Sequence, residues 1–314
     1  MQAKLEILQA GPQITLQDAG RFGLLRYGVP SSGPMDRFAF SIANLALGNP
    51  AQATSIEVSL GGISLKCTQG RVSFAVAGGD FMIEKNGQQQ SPWCLSTLEA
   101  GESLSIRPGR WGNWCYLAFL GKIKCAEWLG SAATHALSGL GGGKIEPGDT
   151  ITVTGADSST ELKASLICPV SARPRDRVRV VLGPQDRYFD DGTIKDFLTK
   201  PFILTHAYDR MGVRLAGPNL RPNAELTMPS EAILRGSIQV SGDGVATVLF
   251  ADHQTTGGYP KIATILSDDL DGFVQLRSRS SVTFQAITAA AAISAARTRN
   301  TTRSLFLSQV QKNG

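Results

Sequence analysis

The sequence predicts a mainly β protein with a few short peripheral helices. Three observations carry that expectation. The 314 residues include 34 glycines and 15 prolines, so the chain turns often. Only 18% of residues are charged against 42% hydrophobic, and the apolar residues fall in short runs bounded by turns. Finally, Ala100-Gly101-Glu102-Ser103-Leu104-Ser105-Ile106 and Pro147-Gly148-Asp149-Thr150-Ile151-Thr152-Val153 share one pattern. Each reads as a Gly, an acid and then alternating polar and apolar or β-branched residues, which is a turn feeding a strand. The alternation returns over residues 280–284, where Ser278-Arg279 stands in place of the Gly turn.

In chain order, helical spacing of Phe38, Ile42 and Leu45 predicts a first helix over 36–47, with Pro34 before it and Gly48 and Pro50 after it. Strands are expected over 72–76, 104–106, 114–120, 151–154, 178–182, 238–240, 245–250 and 282–287. A short helix over 193–199 turns Ile194, Phe197 and Leu198 inward and ends at Pro201. A last helix, from about 286 towards 308, is rich in alanine and so buries little area, which places it on the surface. At roughly 150 residues per domain the length allows two domains. The Pro-Val-Ser-Ala-Arg-Pro-Arg stretch from Pro169 puts their boundary near 170, giving halves 1–170 and 171–314.

The formal charge is 31 − 26 = +5 with the basic residues scattered, which does not point to nucleic acid. Arg173, Arg175, Arg177 and Arg179 would share one face of a strand. A solvated edge and a groove for anions are the two readings. Five cysteines without a C-x-x-C pair read as reduced thiols. Residues 1–6 hold no apolar signal core and the alanine-rich run is too short to span a bilayer, so a cytoplasmic protein away from membranes is expected. Gly139-Leu140-Gly141-Gly142-Gly143-Lys144-Ile145 falls short of a phosphate loop, because Ser138 stands at the first Gly position and Ile145 replaces the magnesium-binding hydroxyl. No G-x-S-x-G elbow and no Met-Lys-Met biotin site occur, and the three histidines lack metal-ligand spacing.

Three segments set polar residues among glycines, where backbone N–H groups can approach a ligand. The first is Gln17-Asp18-Ala19-Gly20-Arg21, running on to Asp36 at the start of the first helix. Asp18 can form an Asx turn and Asp36 can favour the helix N-terminus, or Gln17, Asp18 and Arg21 can line an anion pocket. Both readings stand. The second places Arg210 and Arg214 about Gly212, either as exposed strand-end arginines or with Arg210 as a two-point clamp for a carboxylate or oxyanion. The third gathers Gln254, Thr255, Thr256, Gly257, Gly258, Tyr259 and Lys261 after the strand at 245–250. Such a loop can stabilise negative charge developing on an amide oxygen, with Tyr259 over a planar ligand and Lys261 attracting an anion.

Taken in order, Gln17 to Arg21, Gly28 to Asp36, Ala43-Asn44, Gly48-Asn49, Gly183-Pro184-Gln185, Asp209-Arg210-Met211-Gly212, Gly236-Ser237-Ile238-Gln239-Val240 and Gln254 to Pro260 resemble a known family. It includes the C subunit of bacterial 5-oxoprolinase, the second subunit of allophanate hydrolase and the carboxyltransferase part of urea carboxylase. Val213, Lys122 and Ser241 depart from its usual Tyr, Gly and Pro. The resemblance implies two cyclophilin-like β-barrel halves and a complex with the B and A subunits of 5-oxoprolinase that opens 5-oxo-L-proline to L-glutamate with ATP. It then implies Arg210, Gln254, Thr255 and Thr256 as catalytic residues. Gln17, Asp18, Arg21, Asp36, Gln239, Gly257, Gly258, Tyr259 and Lys261 would bind substrate. Two alternatives remain: carboxyl transfer from biotin on a separate carrier to urea or a related amide, and a non-catalytic regulatory or binding role beside the B subunit.

Overall fold

The computed structural model describes residues 2–156, 162–223 and 228–313. Short Gly-bounded strands dominate, with four α-helices among the described residues: α1 Arg37–Leu45, α2 Asp191–Thr199, α3 Ser267–Phe273 and α4 Ala289–Asn313. The chain divides into two units. Met1–Arg21, Ser32–Arg173 and Arg303–Gly314 form one; Phe22–Ser31 and Pro174–Thr302 form the other.

In the first unit the alternation of polar and apolar residues builds two antiparallel sheets. One runs Lys122–Ile123, Thr150–Thr154, Gln2–Ala10, Ile63–Gln69, Ser103–Arg107, Met82–Lys85, Gln88–Gln90. The other runs Ala164–Ser165, Cys94–Glu99, Arg71–Ala77, Trp114–Phe119, Ser55–Ser59, Thr15–Gln17. Alternate residues such as Leu5, Ile7, Leu65 and Ile106 meet Ile56, Val58, Phe74 and Leu117 in a buried core. The strands Ser55–Ser59 and Trp114–Phe119 are buried throughout, and α1 covers the face of the sheet opposite the core with Phe38, Ile42 and Ala43 against Ala75, Ala77 and Ala118. Gly101 and Gly148 take the left-handed backbone at φ 96 and 93 in the two matching turns, and Arg279 adopts φ 72 in the third, where no glycine stands.

The second unit closes as a barrel in the order Arg177–Leu182, Lys261–Ile265, Ser237–Val240, Ala246–Leu249, Gly212–Ala216, Phe202–Tyr208, Ser281–Ala286. Seven strands cannot alternate all the way round, so one pair must be parallel: Arg177–Leu182 with Ser281–Ala286. Closure corrects one expectation. The arginine-bearing strand has a neighbour on each side and is not an edge. Phe197 of α2 stacks on Phe284, centroids 4.8 Å apart, and meets Phe202 at 6.0 Å.

The expected helices over 36–47 and 193–199 correspond to α1 and α2. The last begins at Ala289, because the strand before it runs to Ala286, and at 25 residues it is not short. No helix among the described residues is long and apolar enough to cross a membrane.

Candidate functional site

The polar residues of the first segment are turned on the protein itself. Asp18 accepts from Gly20 N at 2.9 Å, Ser131 Oγ at 2.6 Å and Ala132 N at 2.7 Å. Arg21 donates to the carbonyls of Trp128 and Ala133 and lies over the Trp128 ring, 4.8 Å from its centroid. Gln17 donates to Thr15 Oγ1 and the Thr134 carbonyl, leaving its own buried Oε1 without a partner. Asp36 is the α1 N-cap, accepting from Ala39 N at 3.0 Å. Gln17, Asp18 and Arg21 thus share the 128–134 loop, and Asp36 sits apart from them on α1. Next to it lies a buried group that sequence reasoning does not single out: Glu57 Oε2 accepts from Tyr116 Oη and Met35 N, both at 2.7 Å. Burial first, then Glu57 and Asp36, push the Tyr116 phenol well up. A glutamate in the strand Ser55–Ser59 gives no signal, since the alternation marks an interior position without naming its partner.

In the second unit Arg210 directs its guanidinium at Asp252. Nε and Nη2 reach the two carboxylate oxygens at 3.0 and 3.1 Å, both side chains being fully buried. Asp252 N in turn donates to the Arg210 carbonyl, so the pair fastens the root of the 252–261 loop. The two-point clamp expected for a ligand carboxylate is therefore met by an internal one.

The rest of the loop is drawn into an amide-rich cluster. Thr256–Gly257 pairs with Glu231–Ala232, and Thr255 O accepts from Ile233 N. Gln254 Nε2 donates to Gln239 Oε1 at 3.2 Å, and Gln239 Nε2 to the Tyr259 carbonyl at 3.4 Å. A Cβ on Gly257 would come within 2.8 Å of Gln239 Nε2, so the Gln239 side chain would have to shift to admit one. Lys261 lies opposite Gln239 in the strand register. Its backbone N donates to Gln185 Oε1 at 2.9 Å, and Gln185 Nε2 donates to Glu231. Gln185 and Glu231 complete the cluster. The Gly183-Pro184-Gln185 motif marks the first; a single Glu after Met-Pro-Ser gives no sign of the second. Tyr259 and Thr256 are exposed and Gly258 is half-buried. Beside them His253 Nδ1 donates to the Gln254 carbonyl at 2.7 Å, and burial lowers its pKa, which favours the neutral ring.

Two other sequence features resolve differently. Gly139 N, Gly142 N and Gly143 N donate to His135 O, Ala132 O and Thr134 Oγ1, so this stretch spends the N–H groups a phosphate would need. The arginine stripe lines a cavity of about 850 Å³ with Asp269, Ser280, Ser281 and Gln285, where Arg179 is held by Asp269 at 2.6 Å while Arg175 and Arg177 are exposed.

Comparison with known proteins agrees with this architecture. The family model for the carboxyltransferase domain, subdomain A and B, matches residues 27–286. The 5-oxoprolinase C subunit of Haemophilus influenzae is 32% identical over 287 residues, 90% of this chain and 91% of that protein. That of Escherichia coli is 32% identical over 276 residues, 87% of each. The solved urea amidolyase of K. lactis superposes with a TM-score of 0.86 at 25% identity, over 96% of this chain and 20% of that one. Motif order, barrel topology and the extent of these matches lead to one conclusion: the chain belongs to the carboxyltransferase-domain family, subdomains A and B.

Proposed function

We propose that this chain is the C subunit of an ATP-dependent 5-oxoprolinase, acting with the A and B subunits to open the lactam of 5-oxo-L-proline to L-glutamate. Reciprocal coverage carries this reading. The two 5-oxoprolinase C subunits are matched over 91% and 87% of their own lengths, whereas the urea amidolyase is matched over 20% of its length.

The amide cluster supplies a chemical rationale. A lactam presents a carbonyl acceptor and an N–H donor side by side. The side-chain amide of Gln239 or Gln254 presents the complementary pair, and their present bonds of 3.2 and 3.4 Å are long enough to be exchanged for a ligand. Donors from Gln254, Thr255 and Thr256 would then oppose the charge that develops on the lactam oxygen as water attacks. Arg210 has a supporting role here, holding the loop through Asp252. ATP enters as the energy source of the assembly, and the 139–145 stretch of this chain does not fit as its phosphate cradle.

Carboxyl transfer from biotin to urea or a related amide is the second reading, favoured by the family's description and by the urea amidolyase fold. It needs a biotin carrier. The deciding experiment combines the purified chain with the A and B subunits and follows glutamate formation from 5-oxoproline. Glutamate that requires ATP and all three proteins is expected. No glutamate, with urea carboxylated when a biotin carrier is supplied, would exchange the two readings.

A further inference from the structure

Lys261 is out of keeping with its surroundings. Its side chain is 2% exposed, and Nζ has no hydrogen-bond partner. The Glu231 carboxylate oxygen stands 3.9 Å away, beyond hydrogen-bonding distance, and already accepts from Gln185. An ammonium carries three donors, and burying it with all three unmet is unfavourable unless an acceptor arrives. Burial lowers the Lys261 pKa, with Glu231 pulling the other way.

The backbone around it is fixed. Gln185 holds both the Lys261 N–H and the Glu231 carboxylate, and Lys261 pairs with Gln239 on the neighbouring strand at a β-bulge whose extra residue is Ile262, which sets the two paired residues on the same face. One face therefore offers an amide that can pair with a lactam or ureido group and, beside it, a cation that no anion hydrogen-bonds, Glu231 standing 3.9 Å off. Urea would fill only the first position. A cyclic amide with a carboxylate on the neighbouring carbon would fill both.

We infer that Lys261 is the residue that selects a carboxylate-bearing amide over a neutral one, its ammonium receiving the carboxylate while Gln239 and Gln254 receive the amide. This deepens the 5-oxoprolinase reading and rests on it. Arg210, whose guanidinium is paired with Asp252, is not the carboxylate receptor.

The test uses the full assembly with wild-type chain, Lys261→Met and Lys261→Arg, and measures KM for 5-oxo-L-proline together with Kd for 5-oxo-L-proline and for 2-pyrrolidinone, the same ring without the carboxylate. Lys261→Met should weaken 5-oxoproline binding by about 30-fold or more, the loss typical of truncating one side of a buried charge pair, and leave 2-pyrrolidinone unchanged. Lys261→Arg should recover part of the loss. Equal effects on both ligands, or none on either, would overturn the inference. If the Met variant does not fold, acetic anhydride labelling of wild-type Lys261, read by mass spectrometry, replaces it. Protection by 5-oxoproline but not by 2-pyrrolidinone or inorganic phosphate supports the role; protection by all three or by none refutes it. Glutamate production by the wild type with an unchanged KM in Lys261→Met would sink the inference alone. A wild-type assembly that makes no glutamate would instead sink the underlying reading.

Discussion

Two regions look alike in the sequence and differ in the fold. Residues 17–36 and 252–261 both set amides, carboxylates and cations among glycines. In the first unit most of those groups close on one another and on the backbone: Asp18 accepts three hydrogen bonds and Arg21 holds two carbonyls, with Gln17 Oε1 left as a buried acceptor without a partner. In the second unit Gln239 and Gln254 share long bonds and Lys261 Nζ has none. The difference separates architecture from site. A carboxylate that already accepts three hydrogen bonds has no capacity left for a ligand, whereas a buried ammonium without a hydrogen bond is unfavourable until a ligand completes it. Arg210, paired with Asp252 of the second region, behaves like the first.

Arg210 offers the strongest way to break that distinction. Replacing it with Met leaves Asp252 as a buried charge without its guanidinium, a loss of about 3–5 kcal/mol in unfolding free energy. Replacing both, as Arg210→Met with Asp252→Leu, should recover part of it. Denaturant midpoints of the single and double variants decide the matter, and a single variant of wild-type stability but failed ligand binding would return Arg210 to the ligand. Next in size is Asp18→Ala, which strands two backbone N–H groups and the Ser131 hydroxyl, for about 1–3 kcal/mol. Its effect should appear in thermal stability and leave the KM of the assembly unchanged.

How much of this contrast is legible in the sequence follows from what a sequence encodes locally. The strands at 72–76, 104–106, 151–154 and 178–182 and the first two helices rest on short-range spacing and turn chemistry, and their existence is readable. The helix α3 is not: Ser-Asp-Asp-Leu-Asp-Gly-Phe offers only Leu270 and Phe273 as an apolar face. Barrel closure joins Arg177–Leu182 to Ser281–Ala286 across about a hundred residues, so no local pattern records it, and the arginine stripe reads as an edge until the barrel is seen. The site shows the same limit. Residue types single out Arg210 and Lys261 as cations near glycines, but the partner of each is set by pairing between distant strands, which gives one a two-point bond to Asp252 and leaves the other without a hydrogen bond, 3.9 Å from Glu231.

Gly257→Ala sharpens the comparison with a smaller effect. Gly257 lies in the short strand paired with Glu231–Ala232, and an added methyl would press on Ile233 Cδ1 at 2.7 Å and Gln239 Nε2 at 2.8 Å. Both are ends of flexible side chains and can move, so stability should fall by about 1 kcal/mol or less. The displaced Gln239 should nevertheless raise Kd for 2-pyrrolidinone and 5-oxoproline alike, which distinguishes this change from Lys261→Met. Unchanged affinity for both ligands would remove Gln239 from the site.

The smallest effect is a slope with pH. Burial lowers the Lys261 pKa, so the folded chain releases that proton at a pH where the unfolded chain, with an ordinary value of about 10.4, still holds it. Between the two values the unfolded state binds more protons, and the unfolding free energy contributed by this group therefore rises with pH. Below the folded value both states are charged, and the fold carries the full disadvantage of the unmet ammonium. Lys261→Met should consequently be more stable than the wild type at neutral pH, with an advantage that shrinks as pH climbs towards 10. A bound carboxylate favours the charged amine and reverses the trend: binding takes up a proton in that window, so affinity for 5-oxoproline should fall as pH rises while that for 2-pyrrolidinone stays level. Urea titrations of the two chains across pH 7 to 10 read the difference directly, and a flat difference would place Lys261 with Arg210 among the cations the fold has already satisfied.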